Sequence, residues 1–266
     1  MENERLKIGI YGLGLIGGSI LKSLSHQDKY DLIAVSKSSY KKAEEYAKIS
    51  SDDILVLSNA DIIFVCSKMC DCKPVLKQLE GVVSSDTIVV DVCSIKEFVE
   101  DDYKFNFIPS HPMAGTEFFG FDASFKELFV GAKWVIGKNN EILENLIKSM
   151  GAKPLMINSK DHDKAAAEIS HLPMLISFAL FDSIDEESKK IAASGFRDTT
   201  RLAMTNSDMA YDMLNLNKEN ILLAYEKFIN SFEKIKNMNE EEFKTFAKNI
   251  AQERSKMYDK NGVNNY

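Results

Sequence analysis

The chain has 266 residues, of which 45% are hydrophobic and 27% charged, as in a folded globular protein with one large domain or two modest ones. Its formal net charge of −7 argues against non-specific binding to nucleic acid, because that affinity depends on accumulated lysine and arginine. The N-terminus lacks the features of a secretory signal, and the longest strongly apolar stretch, residues 172–181, is shorter than the roughly 20 residues of a membrane span. We therefore expect a cytoplasmic protein that binds neither nucleic acid nor membrane.

The first part of the chain alternates strand-like and helical segments. Its strand candidates are "LKIGIY", "DLIAVS", "ADIIFVCS", "DTIVVDV", "NFIPS", "KWVIG" and "AKPLMI". Several of these runs are almost continuously apolar, as in strands that are covered on both faces, and helical stretches such as "GGSILKSLSH", "SYKKAEEYAKI", "CKPVLKQLEGV" and "NEILENLIKSM" lie between them. The alternation predicts an α/β domain over residues 1–157 with a doubly wound, mostly parallel sheet.

Residues 158–266 show no further strand pattern and predict an all-α domain. One helix is expected from Asp161 to about Phe181, and a long amphipathic helix begins at Lys218. An apolar stripe at three- and four-residue steps along the second helix consists of Ile221, Tyr225, Phe228, Phe232 and Ile235. Such a stripe must be buried. Burial against a second subunit predicts a homodimer, and the alternative is an internal core.

Three of the four cysteines are clustered, as Cys66, Cys70 and Cys72 in "VCSKMCDCKP". The C-x3-C-x-C spacing is not a usual zinc pattern, no histidine lies nearby, and Cys93 is distant along the chain. We predict reduced thiols and no metal site.

The first predicted strand runs directly into a glycine-rich loop, "IYGLGLIGGS", which an apolar helix follows. Gly12, Gly14 and Gly17 form G-x-G-x-x-G, which permits a tight turn, close approach of a pyrophosphate and close helix–strand packing. The motif predicts a dinucleotide-binding (Rossmann-type) domain. Its cofactor-binding residues are predicted to be Gly12, Leu13, Gly14, Leu15, Ile16 and Gly17, together with Cys66 and Ser67 after a later strand.

The end of the second strand bears on the choice between NAD and NADP. An acidic residue at this place binds the ribose hydroxyls of NAD, but here Ser36, Lys37 and Ser38 stand there. Hydroxyls beside a lysine suit a 2′-phosphate, which a carboxylate would repel. We predict NADP as the favoured cofactor, the alternative being NAD with Lys37 in solvent.

Four further stretches occur in a fixed order behind the glycine loop. They are "DVCSIK" (91–96), "SHPMAGTE" (110–117), "SHLPM" (170–174) and "GFRDTTR" (195–201). Together they resemble the prephenate and arogenate dehydrogenases of tyrosine biosynthesis over nearly the whole chain. The resemblance implies oxidative decarboxylation of a cyclohexadienyl substrate, with hydride transfer to a nicotinamide cofactor.

The resemblance also implies roles for individual residues. His111 is the expected acceptor of the substrate hydroxyl proton, since imidazole titrates near neutrality. Ser94 is expected to assist by binding the substrate hydroxyl or His111, and also to cap a helix "SIKEFVEDD". Arg201, at the end of "DTTR", is expected to bind a substrate carboxylate bidentately.

Other positions have weaker assignments. His171 is expected to line the substrate site, the alternative being an inward structural histidine, and Gly115 and Thr116 are expected to contact substrate. His26 and His162 lie in polar helical surroundings and are predicted to be solvated.

One further arginine is a second candidate for a predicted role, and one methionine departs from the family pattern. Arg197 is a second candidate for carboxylate binding, with a surface pair to Asp198 or Glu187 as the simpler interpretation. Met174 stands where many bacterial members have a second histidine.

Two other functions are compatible with a dinucleotide-binding domain. One is a different small dehydrogenase, of the 3-hydroxy-acid or imino-acid type, and the other is a non-catalytic dinucleotide sensor. Neither explains "HPMAG" followed by "GFRDTTR". A sensor would bind the cofactor and oxidise no substrate.

Overall fold

A computed structural model describes residues 5–116 and 118–258. Its nine strands are β1 (Leu6–Tyr11), β2 (Tyr30–Val35), β3 (Ile49–Ser51), β4 (Ile62–Val65), β5 (Ile88–Asp91), β6 (Asn106–Ile108), β7 (Ser110–Pro112), β8 (Lys133–Ile136) and β9 (Lys153–Met156). Six of them form one parallel sheet in the order β3-β2-β1-β4-β5-β6. The order reverses at β1, and ligands of such sheets bind outside the carboxyl ends of the strands at that point.

The remaining three strands form a separate sheet in the order β7-β8-β9. β7 runs antiparallel to β8, and β8 runs parallel to β9. The predicted strand "NFIPS" is therefore divided, since Asn106–Ile108 belongs to the first sheet and Ser110–Pro112 to the second. The α/β prediction is confirmed, and the second sheet, which the sequence pattern did not separate, positions residues 110–112 beside the end of β5.

The helices of the α/β part are α1 (Leu15–Leu24), α2 (Tyr40–Ala43), α3 (Met69–Leu79) and α4 (Glu141–Ser149). Those that follow are α5 (Ser159–Ala166), α6 (Leu172–Asp182), α7 (Glu186–Lys189), α8 (Ser194–Thr199), α9 (Ser207–Leu216), α10 (Lys218–Lys236) and α11 (Glu240–Met257). No described residue after Met156 lies in a sheet. The described strands therefore all lie before residue 157, and the described elements after it are helices.

A π-helical turn, Ala167–His171, joins α5 to α6 into one continuous helix from Ser159 to Asp182. By length and composition this 24-residue helix could cross a membrane, with a mean hydropathy of 1.2. That test is weak, because core helices of soluble proteins also pass it. In this helix His162, Asp163 and His171 are buried, whereas only 33% of its most apolar stretch is buried.

The six-stranded sheet has an apolar cluster on each face. One cluster packs α1 and α4 against strand residues such as Ile8, Ile10 and Phe64. The other packs α3 against strand residues such as Val65 and also includes Met174, Ala210 and Met213 of the later helices. The helical part is thus docked on the α3 side of the sheet, where Lys68 forms an ion pair with Asp208 of α9 at 3.1 Å.

Candidate active site

The glycine loop has the geometry that a bound pyrophosphate requires. Gly12 has φ +91°, and a Cβ there would lie 2.6 Å from the carbonyl oxygen of Cys66. A Cβ on Gly17 would lie 1.9 Å from the carbonyl oxygen of Gly12. Beside Gly14, by contrast, there is open space, and this residue is the N-cap of α1. The space beside Gly14 therefore leaves the first backbone amides of α1 accessible. Such an open helix N-terminus suits a bound phosphate.

The other predicted cofactor residues lie at the same edge of the sheet. Cys66 follows β4 and its amide donates to the carbonyl of Tyr11 at 2.6 Å, next to the loop. The adjacent Ser67 hydroxyl is buried without a hydrogen-bond partner among the described residues. A buried hydroxyl without a partner needs a ligand or water, and an acceptor-rich dinucleotide can supply one. These residues fit a dinucleotide.

The end of β2 has one buried hydroxyl and two exposed side chains. Ser36 is buried, and its hydroxyl accepts a hydrogen bond from the amide of Ser39 at 3.1 Å. Lys37 and Ser38 are exposed. All are compatible with contacts to a ribose or its phosphate.

His111 lies in β7, whose position is set by a buried polar cluster at the end of β5. The Asp91 carboxylate accepts a hydrogen bond from the backbone amide of Ser110 at 3.0 Å, and the Asp91 backbone carbonyl accepts one from the Ser110 hydroxyl at 2.6 Å. The Lys96 ammonium pairs with the Asp91 carboxylate and also donates to the Ser110 carbonyl. The indole of Trp134 donates to the Ser110 hydroxyl at 3.1 Å. Removing one partner of such a buried ion pair costs about 3–5 kcal/mol. Four hydrogen-bonding contacts to Ser110 therefore hold the backbone next to His111 in place.

The imidazole of His111 is hydrogen-bonded to a second histidine from α5. His111 Nδ1 lies 2.9 Å from His162 Nε2, and His162 Nδ1 lies 2.8 Å from an oxygen of Asp163. The Asp163 carboxylate also accepts the amides of Lys96 at 2.7 Å and Glu97 at 2.8 Å. The prediction that His162 is solvated is therefore wrong, since docking of α5 onto residues 96–97 buries it.

Electrostatics favour a neutral His111. Burial lowers the pKa of His111 well below its usual value, and the neighbouring His162, Lys96 and His171 side chains lower it further by repelling a positive charge on its ring. At neutral pH the ring is uncharged and can accept a proton. It is a candidate general base.

His171 ends the π-helical turn and is completely buried. Its Nδ1 lies 3.1 Å from the side-chain amide of Asn217, which also donates to the carbonyl of Asp163 at 2.8 Å. Burial lowers the pKa of His171 to about 4. Its Nε2 has no hydrogen-bond partner among the described residues. The structure thus shows an inward histidine with one unused nitrogen near His111.

Ser94 does not cap a helix, so that prediction is wrong. The segment after it contains only a 3-10 turn, Glu97–Val99, whose N-cap is Lys96. The Asp163 carboxylate accepts the amides of Lys96 and Glu97, which a capping side chain would otherwise accept. The Ser94 hydroxyl is half-buried and donates to the sulfur of Met69 at 3.3 Å.

The predicted carboxylate-binding arginine lies in the 3-10 turn Arg201–Met204, which packs against α6. Arg201 is exposed, and no ion pair of the described residues includes it. Arg197 instead pairs with Asp198 at 2.9 Å on the surface, as its simpler interpretation predicted. Arg201 is the freer of the two guanidinium groups for a ligand.

The loop after His111 places Gly115 and Thr116 in solvent. The Thr116 hydroxyl accepts the amide of Phe118 at 3.2 Å. Glu117, the last residue of "SHPMAGTE", lies outside the described residues. Met174 is buried in the apolar cluster that includes Ala210 and Met213, so it packs rather than presenting a polar group.

The cysteines are all free thiols. Although Cys93 is distant in sequence, it lies beside Cys72, and a hydrogen bond with Cys72, together with burial, raises the pKa of the Cys93 thiol. The Cys72 and Cys93 sulfurs and the Asp91 carboxylate lie within 4.8 Å of one another. The Lys96 ammonium already neutralises that carboxylate, which disfavours a cation there.

Comparison with known proteins identifies the family of this chain. Residues 19–154 match the family model "Prephenate dehydrogenase, nucleotide-binding domain", and residues 158–252 match "Prephenate dehydrogenase, dimerization domain". The prephenate dehydrogenase of Lactococcus lactis is 32% identical over 240 residues, which are 84% of this chain and 68% of that protein.

Two solved structures superpose over almost the whole chain. The arogenate dehydrogenase of Synechocystis has a TM-score of 0.83 at 29% identity, covering 94% of this chain and 99% of that one. The prephenate dehydrogenase of A. aeolicus, in complex with hydroxyphenyl propionate and NAD+, has a TM-score of 0.84 at 25% identity, covering 96% and 99%. This chain therefore belongs to the prephenate and arogenate dehydrogenase family of nicotinamide-dependent oxidoreductases.

Proposed function

We propose that the protein oxidises and decarboxylates prephenate or arogenate, with His111 as the general base. The observation that carries this proposal is the position of His111, half-buried beside the carboxyl edge of a dinucleotide-binding sheet and hydrogen-bonded to His162 at 2.9 Å. In the reaction, hydride leaves the hydroxyl-bearing ring carbon, the hydroxyl proton goes to His111, and the bond to the ring carboxylate breaks to release carbon dioxide. The nicotinamide, when bound, supplies the hydride acceptor.

The chain's other residues bind and orient the substrate in this proposal. Arg201 binds the ring carboxylate through its planar fork, which matches two carboxylate oxygens. Ser94 lies three residues after the end of β5 and assists in this proposal. Its hydroxyl gives up the weak hydrogen bond to the Met69 sulfur and forms one to the substrate hydroxyl. Gly115 and Thr116 are exposed beside His111 and contribute contacts to bound substrate, and His171 lines the site.

We propose NADP as the favoured cofactor and NAD as the alternative. Support comes from the exposed Lys37 and Ser38 beside Ser36, where a carboxylate would exclude a 2′-phosphate. The A. aeolicus relative was crystallised with NAD+, which keeps the alternative open for this chain.

We propose that residues 1–157 bind cofactor and that residues 158–266 bind substrate and dimerise. Tyr225, Phe228 and Phe232 of the predicted stripe are 49%, 39% and 56% exposed in a single chain. None of the residues of α11 is buried, although Phe243 and Ile250 lie on it. Apolar surface of this extent on two long helices indicates a protein partner, and a second copy of the chain fits the dimerization domain that it matches. We place this dimer in the cytoplasm.

The test is a two-by-two assay of purified protein, with prephenate or arogenate and with NAD or NADP, following reduced nicotinamide. Turnover in any combination supports the proposal, and the fastest combination identifies substrate and cofactor. His111→Asn should remove most of the rate, whereas His26→Asn, at an exposed histidine, is the matched control. Absence of turnover in all four, with cofactor still bound, would instead favour a sensor or another small dehydrogenase.

A further inference from the structure

The hydrogen bonds around His111 contain information about which of its nitrogens carries the proton. His111 can act as a base at Nε2 only if that nitrogen has a free lone pair, so the proton of the neutral ring must be on Nδ1. Which nitrogen is protonated depends on the partner of Nδ1, and that partner is His162 Nε2 at 2.9 Å.

The direction of this bond can be followed back to Asp163. An ionised carboxylate is only an acceptor, and Asp163 accepts two backbone amides, from Lys96 and Glu97, that can only donate. The contact of 2.8 Å between Asp163 and His162 Nδ1 therefore requires a proton on His162 Nδ1. In a neutral His162 the other nitrogen, Nε2, is then an acceptor.

With a neutral His162, its Nε2 accepts and His111 Nδ1 donates. The chain of bonds then runs from His111 Nδ1–H to His162 Nε2, and from His162 Nδ1–H to the Asp163 carboxylate. The one nitrogen of His111 left without a proton is Nε2, and it makes no hydrogen bond within the described residues.

We propose that His162 and Asp163 are positioning residues that fix the tautomer of His111, so that its Nε2 is the proton acceptor. This inference rests on the proposed function, because it assigns the orientation of the same base. When Nε2 takes the substrate proton, His111 becomes an imidazolium whose Nδ1–H remains bonded to His162. Asp163, two hydrogen bonds away, stabilises that charge.

The pair is well placed for this role. His162 and Asp163 are 3% and 1% exposed, so water does not compete for either hydrogen bond. The Asp163 carboxylate accepts hydrogen bonds from the backbone amides of residues 96–97 in the α/β part, and the Asp163 backbone carbonyl accepts one from the side-chain amide of Asn217. The orientation of the base is therefore determined by an element from the helical part of the chain.

Two substitutions at His162 separate orientation from packing. In His162→Gln, the side-chain NH2 can donate to Asp163 while the amide oxygen accepts from His111 Nδ1–H, so the polarity is preserved. His162→Met fills a similar volume and provides neither hydrogen bond. We expect His162→Met to lower kcat about tenfold to hundredfold with little change in KM, and His162→Gln to recover most of the loss.

The direct measurement is the tautomer itself, by nitrogen NMR of the full chain labelled in histidine. His111→Asn and His162→Gln assign the signals. We expect the wild-type ring of His111 to have its proton on Nδ1, and the His162→Met ring to show a mixture of the two tautomers.

A wild-type His111 protonated at Nε2, or a His162→Met enzyme with wild-type kcat, would overturn the inference. The inference would also be overturned if the kcat values of His162→Met and His162→Gln changed in proportion to their free energies of unfolding and not with the tautomer of His111. Since the NMR measurement needs no substrate, it is separate from the proposed function, which fails if the wild-type protein turns over neither prephenate nor arogenate.

Discussion

The buried His171 should make the stability of the protein fall on the acid side of neutrality. Its pKa is lowered from the ordinary 6.5 to about 4, because burial disfavours the charged ring. Between these values the unfolded chain binds a proton at this residue and the folded chain does not. The free energy of unfolding therefore decreases as the pH falls from 6.5 towards 4. The full shift corresponds to about 3 kcal/mol, of which about 2 kcal/mol is lost by pH 5.

The assay is urea unfolding of the wild type and of His171→Gln at about pH 7.5 and about pH 5. Glutamine has an acceptor oxygen for the Asn217 amide and does not titrate. All samples need the same protein concentration, because dissociation of an oligomer contributes to stability. Between the two pH values the wild type should lose about 2 kcal/mol more than the variant. His26→Gln is the control and should behave as the wild type. Equal losses in the wild type and in His171→Gln would refute the reasoning.

Four further results are expected. His111→Asn should lower kcat about a hundredfold or more, while the cofactor affinity, measured by titration of nicotinamide fluorescence, stays unchanged. The matching wild-type pH profile of kcat/KM should be level through neutral pH and fall only below 6.5, because the pKa of His111 is lowered. Arg201→Ala should raise KM about tenfold or more, and Arg201→Lys should recover only part of it, since lysine cannot bind a carboxylate with two parallel hydrogen bonds; an unchanged KM would exclude Arg201 from carboxylate binding. Ser36→Asp should shift the ratio of kcat/KM values from NADP towards NAD by about tenfold, and the absence of a shift would show that the ribose lies elsewhere. Phe228→Glu should convert a dimer into monomers in analytical ultracentrifugation, because a buried unpaired carboxylate opposes association, and a dimer of wild-type affinity would place the interface on another surface.

Local patterns in the sequence were sufficient for the parts of the fold that local chemistry determines. The continuous apolar runs predicted β1, β2, β4 and β5, which are buried on both faces of the parallel sheet. The glycine spacing predicted the loop, and the structure gives the reason in the contacts that a Cβ at Gly12 or Gly17 would make. The division of "NFIPS" between two sheets depends on pairing with β8, about 25 residues later, and no local pattern contains that information.

The error at His162 has an identifiable physical cause. "SKDHDK" is polar and lies at a helix start, so its composition indicates a solvated turn. One signal could have corrected this interpretation. Ala166 follows His162 at four residues, and with Ser159 and Asp163 it forms the buried face of α5, which buried Ala167 continues into the π-helical turn. Small residues on the same helical face as a histidine indicate close packing there.

The error at Ser94 follows from the same docking. A serine before "IKEFVEDD" is a good local N-cap, but the Asp163 carboxylate reaches the amides of Lys96 and Glu97 first. With these amides satisfied and the Lys96 side chain turned inwards to Asp91, the segment makes only one 3-10 turn. Tertiary contacts thus override the local capping preference.

This docking also explains why the proposed base and its proposed orienting groups come from different parts of the chain. His111 lies in a short strand whose backbone is anchored to Asp91, so its position is fixed within the α/β part. Its imidazole hydrogen bond, however, is made to α5, which is attached through Asp163 to the backbone after β5. An oriented base therefore exists only when α5 is docked on the sheet. The same helix continues to His171, and α6 supports the turn that contains Arg201. Docking of one helix therefore assembles the proposed proton acceptor and the proposed carboxylate site together.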